Sequence, residues 1–163
     1  MVQKIHIQDK FQPCILSRLT DRSLTGNGSA EDSLLSRIHR EILLNLKMLF
    51  NSRMHPGADD LDKWPEVRTS VLGYGLSDFC GLDNSDRIFD MVKKEISWQI
   101  RCFEPRLNPD TLVITRLDTQ EADKCSLSLH IEAAFAISEL KDGFSCNFYI
   151  ELETGRAAVK GDA

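Results

Sequence analysis

The residues best placed to do chemistry are Glu104 and Arg106, in the run Phe103-Glu104-Pro105-Arg106-Leu107. Pro105 fixes its own φ and keeps Glu104 out of the helical region, so opposite charges flank a rigid joint. Such a joint presents a carboxylate and a guanidinium in one orientation. It can serve as a binding or assembly hot spot, or as an ion pair that only ties a helix to a sheet. From the residues alone the second use is favoured, because most ion pairs are structural or solvated.

The sharpest enzymatic alternative is glycoside hydrolysis. It needs two carboxyl groups, one kept protonated as general acid. Glu104 is the best-placed acid, yet a cation two residues on favours a carboxylate, which is the wrong form for that role. Asp59, Asp60, Asp62, Asp83 and Asp86 fall in loops or near a helix start, where solvated charges and caps are expected. No Ser stands in a G-x-S-x-G, and no Cys and His form a nucleophile–base pattern. Gly73-Tyr74-Gly75 lacks the preceding strand and third glycine of a nucleotide loop and reads as a tight turn or a close approach. His6, His39, His55 and His130 have no zinc-site spacing. Nothing calls for a metal or cofactor. Cys14, Cys80, Cys102, Cys125 and Cys146 form no C-x-x-C, and an odd count argues against a disulfide framework. Cys102 and Cys146 sit in apolar stretches and read as core; Trp64 and Trp98 are candidate surface anchors, with packing favoured for Trp98 inside the second helix.

Two helices must position the joint. Leu34, Ile38, Ile42, Leu46 and Phe50 repeat every four residues, so a helix is expected over roughly 32–52, with Glu31 and Asp32 near its start and Pro56-Gly57 ending it. Ile88, Val92, Ile96 and Ile100 repeat likewise and predict a second helix over about 85–103, stopped by Pro105. The stretch 54–82 between them has no clean period. A connection of that length carries function or packs its own side chains.

The last third changes period. Leu112–Leu117 reads as a short strand. Leu127, Leu129, Ile131, Ala133, Phe135 and Ile137 alternate with polar or small residues. Phe144, Cys146, Phe148, Ile150 and Leu152 do the same after Lys141-Asp142-Gly143, a hairpin signal. The expected fold is therefore α+β: two main N-terminal helices packed on a C-terminal antiparallel sheet of three or four strands. The Phe144–Glu153 strand could offer an edge to another chain or be an ordinary protected one. Residues 1–30 read as an N-terminal arm, with Ile15, Leu16 and Leu19 forming a helical turn or docking stripe and 25–29 a linker. Residues 31–156 form a single domain, and 157–163 a tail that is either a short edge segment or without regular structure.

With 163 residues, 42% hydrophobic and 28% charged, the chain suits one soluble domain. A net charge of −5 argues against nucleic-acid binding. There is no apolar run to insert into a membrane and no secretory leader pattern, so a cytoplasmic protein is expected.

Four segments in order resemble one family: Ile15-Leu16-Ser17-Arg18-Leu19-Thr20-Asp21; Leu49-Phe50-Asn51-Ser52-Arg53; Ser70 to Phe79, containing Tyr74-Gly75-Leu76-Ser77-Asp78-Phe79; and Ile100 to Leu107, containing Glu104-Pro105-Arg106. Together they look like TssE, the type VI secretion baseplate subunits, and the wider phage wedge family often labelled "lysozyme-like". The likeness spans roughly 14–153. The family's Asn-Thr-Arg, basic residue and glycine read here as Asn51-Ser52-Arg53-Met54-His55-Pro56-Gly57, and an Asn is common where Gly73 stands. The resemblance implies a non-enzymatic wedge component working with TssF, TssG and TssK. It further implies recruitment to the inner membrane within the secretion complex, and contact with the first sheath ring of TssB and TssC by strand pairing between chains. It marks Glu104, Pro105, Arg106, Leu107, Asn51, Arg53, Tyr74, Gly75, Asp78 and Phe79 as assembly residues. A peptidoglycan-degrading hydrolase is the alternative the label suggests, and a generic adaptor a third reading.

Overall fold

Four-residue apolar spacing becomes helix and two-residue spacing becomes strand in this chain, as a computed structural model shows for Ile15, Leu19, 34–55, 63–117, 126–136 and 142–159. Outside these described residues lie the rest of the expected arm and linker, Glu31 and Asp32, Pro56-Gly57, Asp59, Asp60 and Asp62, Ile137, Lys141, Cys14, Cys125 and the tail beyond Val159. The chain divides into two compact units, Met1–Leu44 and Asn45–Ala163, with the boundary inside the first helix.

That helix, α1, runs Leu34–Asn51. In the first unit its Ile38, Ile42 and Leu43 are buried while Ser36 and Arg40 are exposed, and Ile15 and Leu19 are helical and exposed. The second unit takes the last turns of α1, where Leu46, Leu49 and Phe50 are buried. It continues with the short helix α2, Pro65–Arg68, a 3-10 turn at Val71–Gly73, and α3, Asp86–Phe103. Among its described residues, the stretch without period holds the turn of α2 and the 3-10 turn at Val71–Gly73, and it pairs back on α1's exit. Leu76 N–H donates to Ser52 O at 3.0 Å and Met54 N–H to Leu76 O at 3.1 Å.

The strands β1, Val113–Arg116, β2, Ser126–Ala134, β3, Gly143–Glu151, and β4, Ala157–Val159, form one antiparallel sheet in sequence order. One face carries the core: Ile114, Leu127, Leu129, Ile131, Phe144, Phe148 and Ile150 are buried with Ile88, Val92, Ile96 and Ile100 of α3. Phe50 meets Phe148 edge-on, with ring centroids 4.7 Å apart. Helices come first and an antiparallel sheet second, as expected, and within the second unit α3 and the last turns of α1 share the sheet's core. β2 ends earlier than its alternation suggests, because Phe135 leaves the ladder to bridge Leu107. The polar positions Ser126 and Ser128 are buried, so strict alternation misjudged the outer face at the start of β2. Cys146 is core as expected, whereas Cys102 is only half-buried.

The hairpin strands are mostly interior. β3 pairs with β2 along its whole length and with β4 at Phe148–Ile150.

Candidate functional site, a charged turn between helix and sheet

The last residues of α3 set the geometry. Glu104 caps the helix at φ −126°, ψ 73°, its N–H still donating to Ile100 O at 2.9 Å. Leu107 N–H donates to Glu104 O at 3.2 Å and closes a β-turn with Pro105 at its second position, where the ring's fixed φ fits. The turn folds Arg106 back on Glu104. Arg106 Nε lies 2.5 Å from Oε1 and Nη2 lies 2.6 Å from Oε2, a bidentate pair. Glu104 is 2% exposed. The side chain of Arg106 is 16% exposed. Asn45 Nδ2 adds a long contact to Oε2 at 3.5 Å.

The chain leaving the turn is stitched to the sheet. Ala136 N–H donates to Arg106 O and Asn108 N–H to Ala134 O, both at 2.8 Å, around the Leu107–Phe135 bridge. The ion pair itself is internal to the turn; backbone bonds and buried Leu107 make the link to the sheet.

Tyr74 lies beside this turn. Its ring meets Phe103 edge-on at 5.2 Å. Burial, and then the negative charge of Glu104, push its phenol above the ordinary value. Phe103 in turn meets Trp98 at 6.1 Å, and the Arg68 guanidinium sits 4.4 Å over the Trp98 ring.

The glycines flanking Tyr74 are close approaches. At Gly75, φ is +109° and a Cβ would stand 2.6 Å from Ser52 O, so only glycine fits. The residue that pins this loop escaped the sequence reading. Gln99 of α3 is 0% exposed; its Nε2 donates to Gly73 O at 2.9 Å and its Oε1 accepts from Gly75 N–H at 3.3 Å. The signal was available: an amide beside the Ile96–Ile100 stripe must be buried, and a buried amide must bond something. Glu95 was missed too. It accepts from Ser77 N–H, and burial raises its carboxyl above the usual range.

Asn51 and Arg53 form a second cluster that serves the last strand. Asn51 copies a strand backbone: Nδ2 donates to Ala157 O at 2.8 Å, and Oδ1 accepts from Ala157 N–H at 3.1 Å. Arg53 donates to Phe50 O at 3.3 Å, to Ser52 O at 3.4 Å and to Gly155 O. Asp78 makes a local turn by accepting from Cys80 N–H at 3.0 Å. Hydrogen bonds from Cys80, side chain first, hold its carboxyl below the usual range. Phe79 is core. The expected site residues thus separate into a Glu104–Leu107 turn with Tyr74, an Asn51–Arg53 clamp backed by Gly75, and Asp78 and Phe79 in a supporting loop.

Chemically, Glu104 is a carboxylate with both oxygens engaged and almost no exposed surface. It has no open face for a sugar. Among the described residues no group of three His, Cys, Asp or Glu could hold a metal ion, and no helix is long and apolar enough to cross a membrane.

A family model described as baseplate wedge protein gp25 matches residues 36–139, more than half of the chain and all of the expected site residues. No curated protein and no solved structure gives a match.

Proposed function

We propose, from the premise that this chain belongs to the family of baseplate wedge protein gp25, that it is the TssE-type subunit of a type VI secretion baseplate. In this reading it is cytoplasmic, catalyses nothing, and is recruited to the inner membrane within the secretion complex. It joins TssF, TssG and TssK in the wedge and starts sheath polymerisation by receiving the first TssB–TssC ring.

The observation that carries the reading is the buried, bidentate Glu104–Arg106 pair at the corner between α3 and the sheet. The corner lies within the span matched by the family. It is built for rigidity, which an assembly node needs and a carboxylate hydrolase would not use in this form.

The test is sheath assembly in cells carrying Glu104→Ala or Arg106→Ala. Removing one member of a buried pair costs about 3–5 kcal/mol of stability. A control such as Leu129→Ala, lowered by about 2–5 kcal/mol, separates stability from assembly. We expect the control to form sheaths when present at the same level as the turn variants, and both turn variants to form none. Normal sheaths in the turn variants, or equal failure of the control, overturns the reading.

A further inference from the structure

A chain of net charge −5 carries a line of positive charge on the outside of α3. The helix buries Ile88, Val92, Ile96 and Ile100. On the opposite side Arg87, Met91, Lys94, Trp98 and Arg101 follow one another at the alternating four- and three-residue spacing of a single helical face. Arg87, Lys94 and Arg101 are exposed, Met91 is 46% exposed and Trp98 is half-buried. No acid interrupts the line. Glu95, next to Lys94, is tied to Ser77 N–H of the adjoining loop. Among the described residues neither Arg87 nor Lys94 forms an ion pair, and Arg101 meets Asp110 at 3.8 Å with both side chains mostly exposed.

The aromatic member of the line is held in place. Trp98 meets Phe103 edge-on at 6.1 Å, and the Arg68 guanidinium over its ring adds a further cation beside the line. An ordered aromatic loses little entropy on binding, and Trp, Met and Arg are the side chains that interfaces collect. The backbone of α3 is engaged within its own helix, so a partner must meet side chains. A row one residue wide and about four turns long matches a second helix lying alongside, because helix ridges share this spacing.

We propose, on the wedge reading, that this face of α3 docks an acidic amphipathic helix of another wedge subunit, with Asp or Glu opposite Arg87, Lys94 and Arg101 and apolar side chains against Met91 and Trp98. Charge chooses this occupant, since the line concentrates one sign in a chain that carries the other overall. A bilayer or a nucleic-acid duplex is also anionic, but each is broad. Either would bring its phosphates against Asp83, Asp86 and Asp90 near the start of the same helix, whereas a single helix follows the line and leaves those acids in water. The face ends just before Glu104, so the corner that Glu104 makes with Arg106 fixes its direction against the sheet.

The experiment titrates the purified full-length chain against a co-purified TssF–TssG complex and, separately, against duplex DNA and vesicles of phosphatidylglycerol and phosphatidylethanolamine. The face variant is Arg87→Glu/Lys94→Glu/Arg101→Glu. The control, Arg37→Glu/Lys47→Glu/Arg156→Glu, shifts the net charge equally at other exposed positions. Circular dichroism confirms that each is folded, and Arg87→Gln/Lys94→Gln/Arg101→Gln takes the place of the face variant if charge reversal unfolds it. Binding to the complex should weaken about tenfold or more in the face variant and about twofold or less in the control, with no binding to DNA or vesicles. Unchanged binding in the face variant, or equal weakening in the control, overturns the face and leaves the wedge reading standing. Binding to DNA or vesicles that the face variant loses overturns it in favour of a polyanionic surface. No binding of the wild-type chain to the complex overturns the wedge reading and this partner with it.

Discussion

His130 lies on the face of β2 opposite Leu129 and Ile131, with Nδ1 2.6 Å from Asn147 Oδ1 and Nε2 2.9 Å from Glu132 Oε1. Two acceptors around one ring favour the doubly protonated form. The Glu132 bond first and the Asn147 bond second raise its pKa above the ordinary value. The folded state thus holds this proton more tightly than the unfolded chain. The resulting stability is fully present below about pH 6.5, the unfolded value, and is lost as pH rises through the higher folded value. We expect wild-type protein to melt above His130→Gln by a larger margin at pH 5.5 than at pH 8.5. An equal margin at both would show that the ring titrates as it does in water. At this scale the sequence was legible where backbone geometry restricts a residue, as at Pro105 and Gly75. It placed Gln99 beside a buried stripe without naming its partners and was silent on Glu95, because backbone groups 18–26 residues away are announced by no local pattern. His130 was visible only as one of four scattered histidines.

Between elements, side chains do work that pairing alone could not. Among the described residues β4 shares three register positions with β3, too few for a stable edge by themselves. Asn51 extends the ladder by donating to and accepting from Ala157, and Arg53 holds the preceding turn at Gly155, where φ is +67°. Removing residues 157–163 should therefore cost stability and uncover Phe148–Ile150 as a hydrogen-bonding edge. The expected outcome is a lower Tm together with concentration-dependent self-association in size-exclusion chromatography. A truncated chain that stays monomeric with unchanged Tm would show that β4 protects nothing. The helices and the long hairpin were readable because their periods run over many residues. β4 was not, since three residues carry no period and its anchors lie far off in α1. The tail expected at 157–163 thus begins with an ordered strand, one of the two forms open to it.

As a whole, the chain combines a well-buried core with exposed apolar side chains at Trp64, Val71 and Leu72. In the wedge reading other subunits bind this chain, and a partner that binds only the folded state stabilises it by mass action. Wild-type chain mixed with TssF–TssG at 100 times its Kd should gain about 2.7 kcal/mol, seen as a concentration-dependent rise in Tm. A Tm indifferent to these subunits would count against wedge assembly. Architecture was legible from the order of periods, helices first and strands second. The division of the assembly residues into separate clusters was not, because it depends on how distant segments meet.

The two charge and amide fastenings also differ in when they can close during synthesis. Arg106 finds Glu104 two residues away, so this corner can set as soon as the ribosome releases it, before most of the sheet exists. Asn51 must wait for Ala157, 106 positions downstream. The first fastening fixes a direction for the emerging polypeptide, and the second closes only after β1, β2 and β3 have all been made, so it latches a sheet whose other strands are already present.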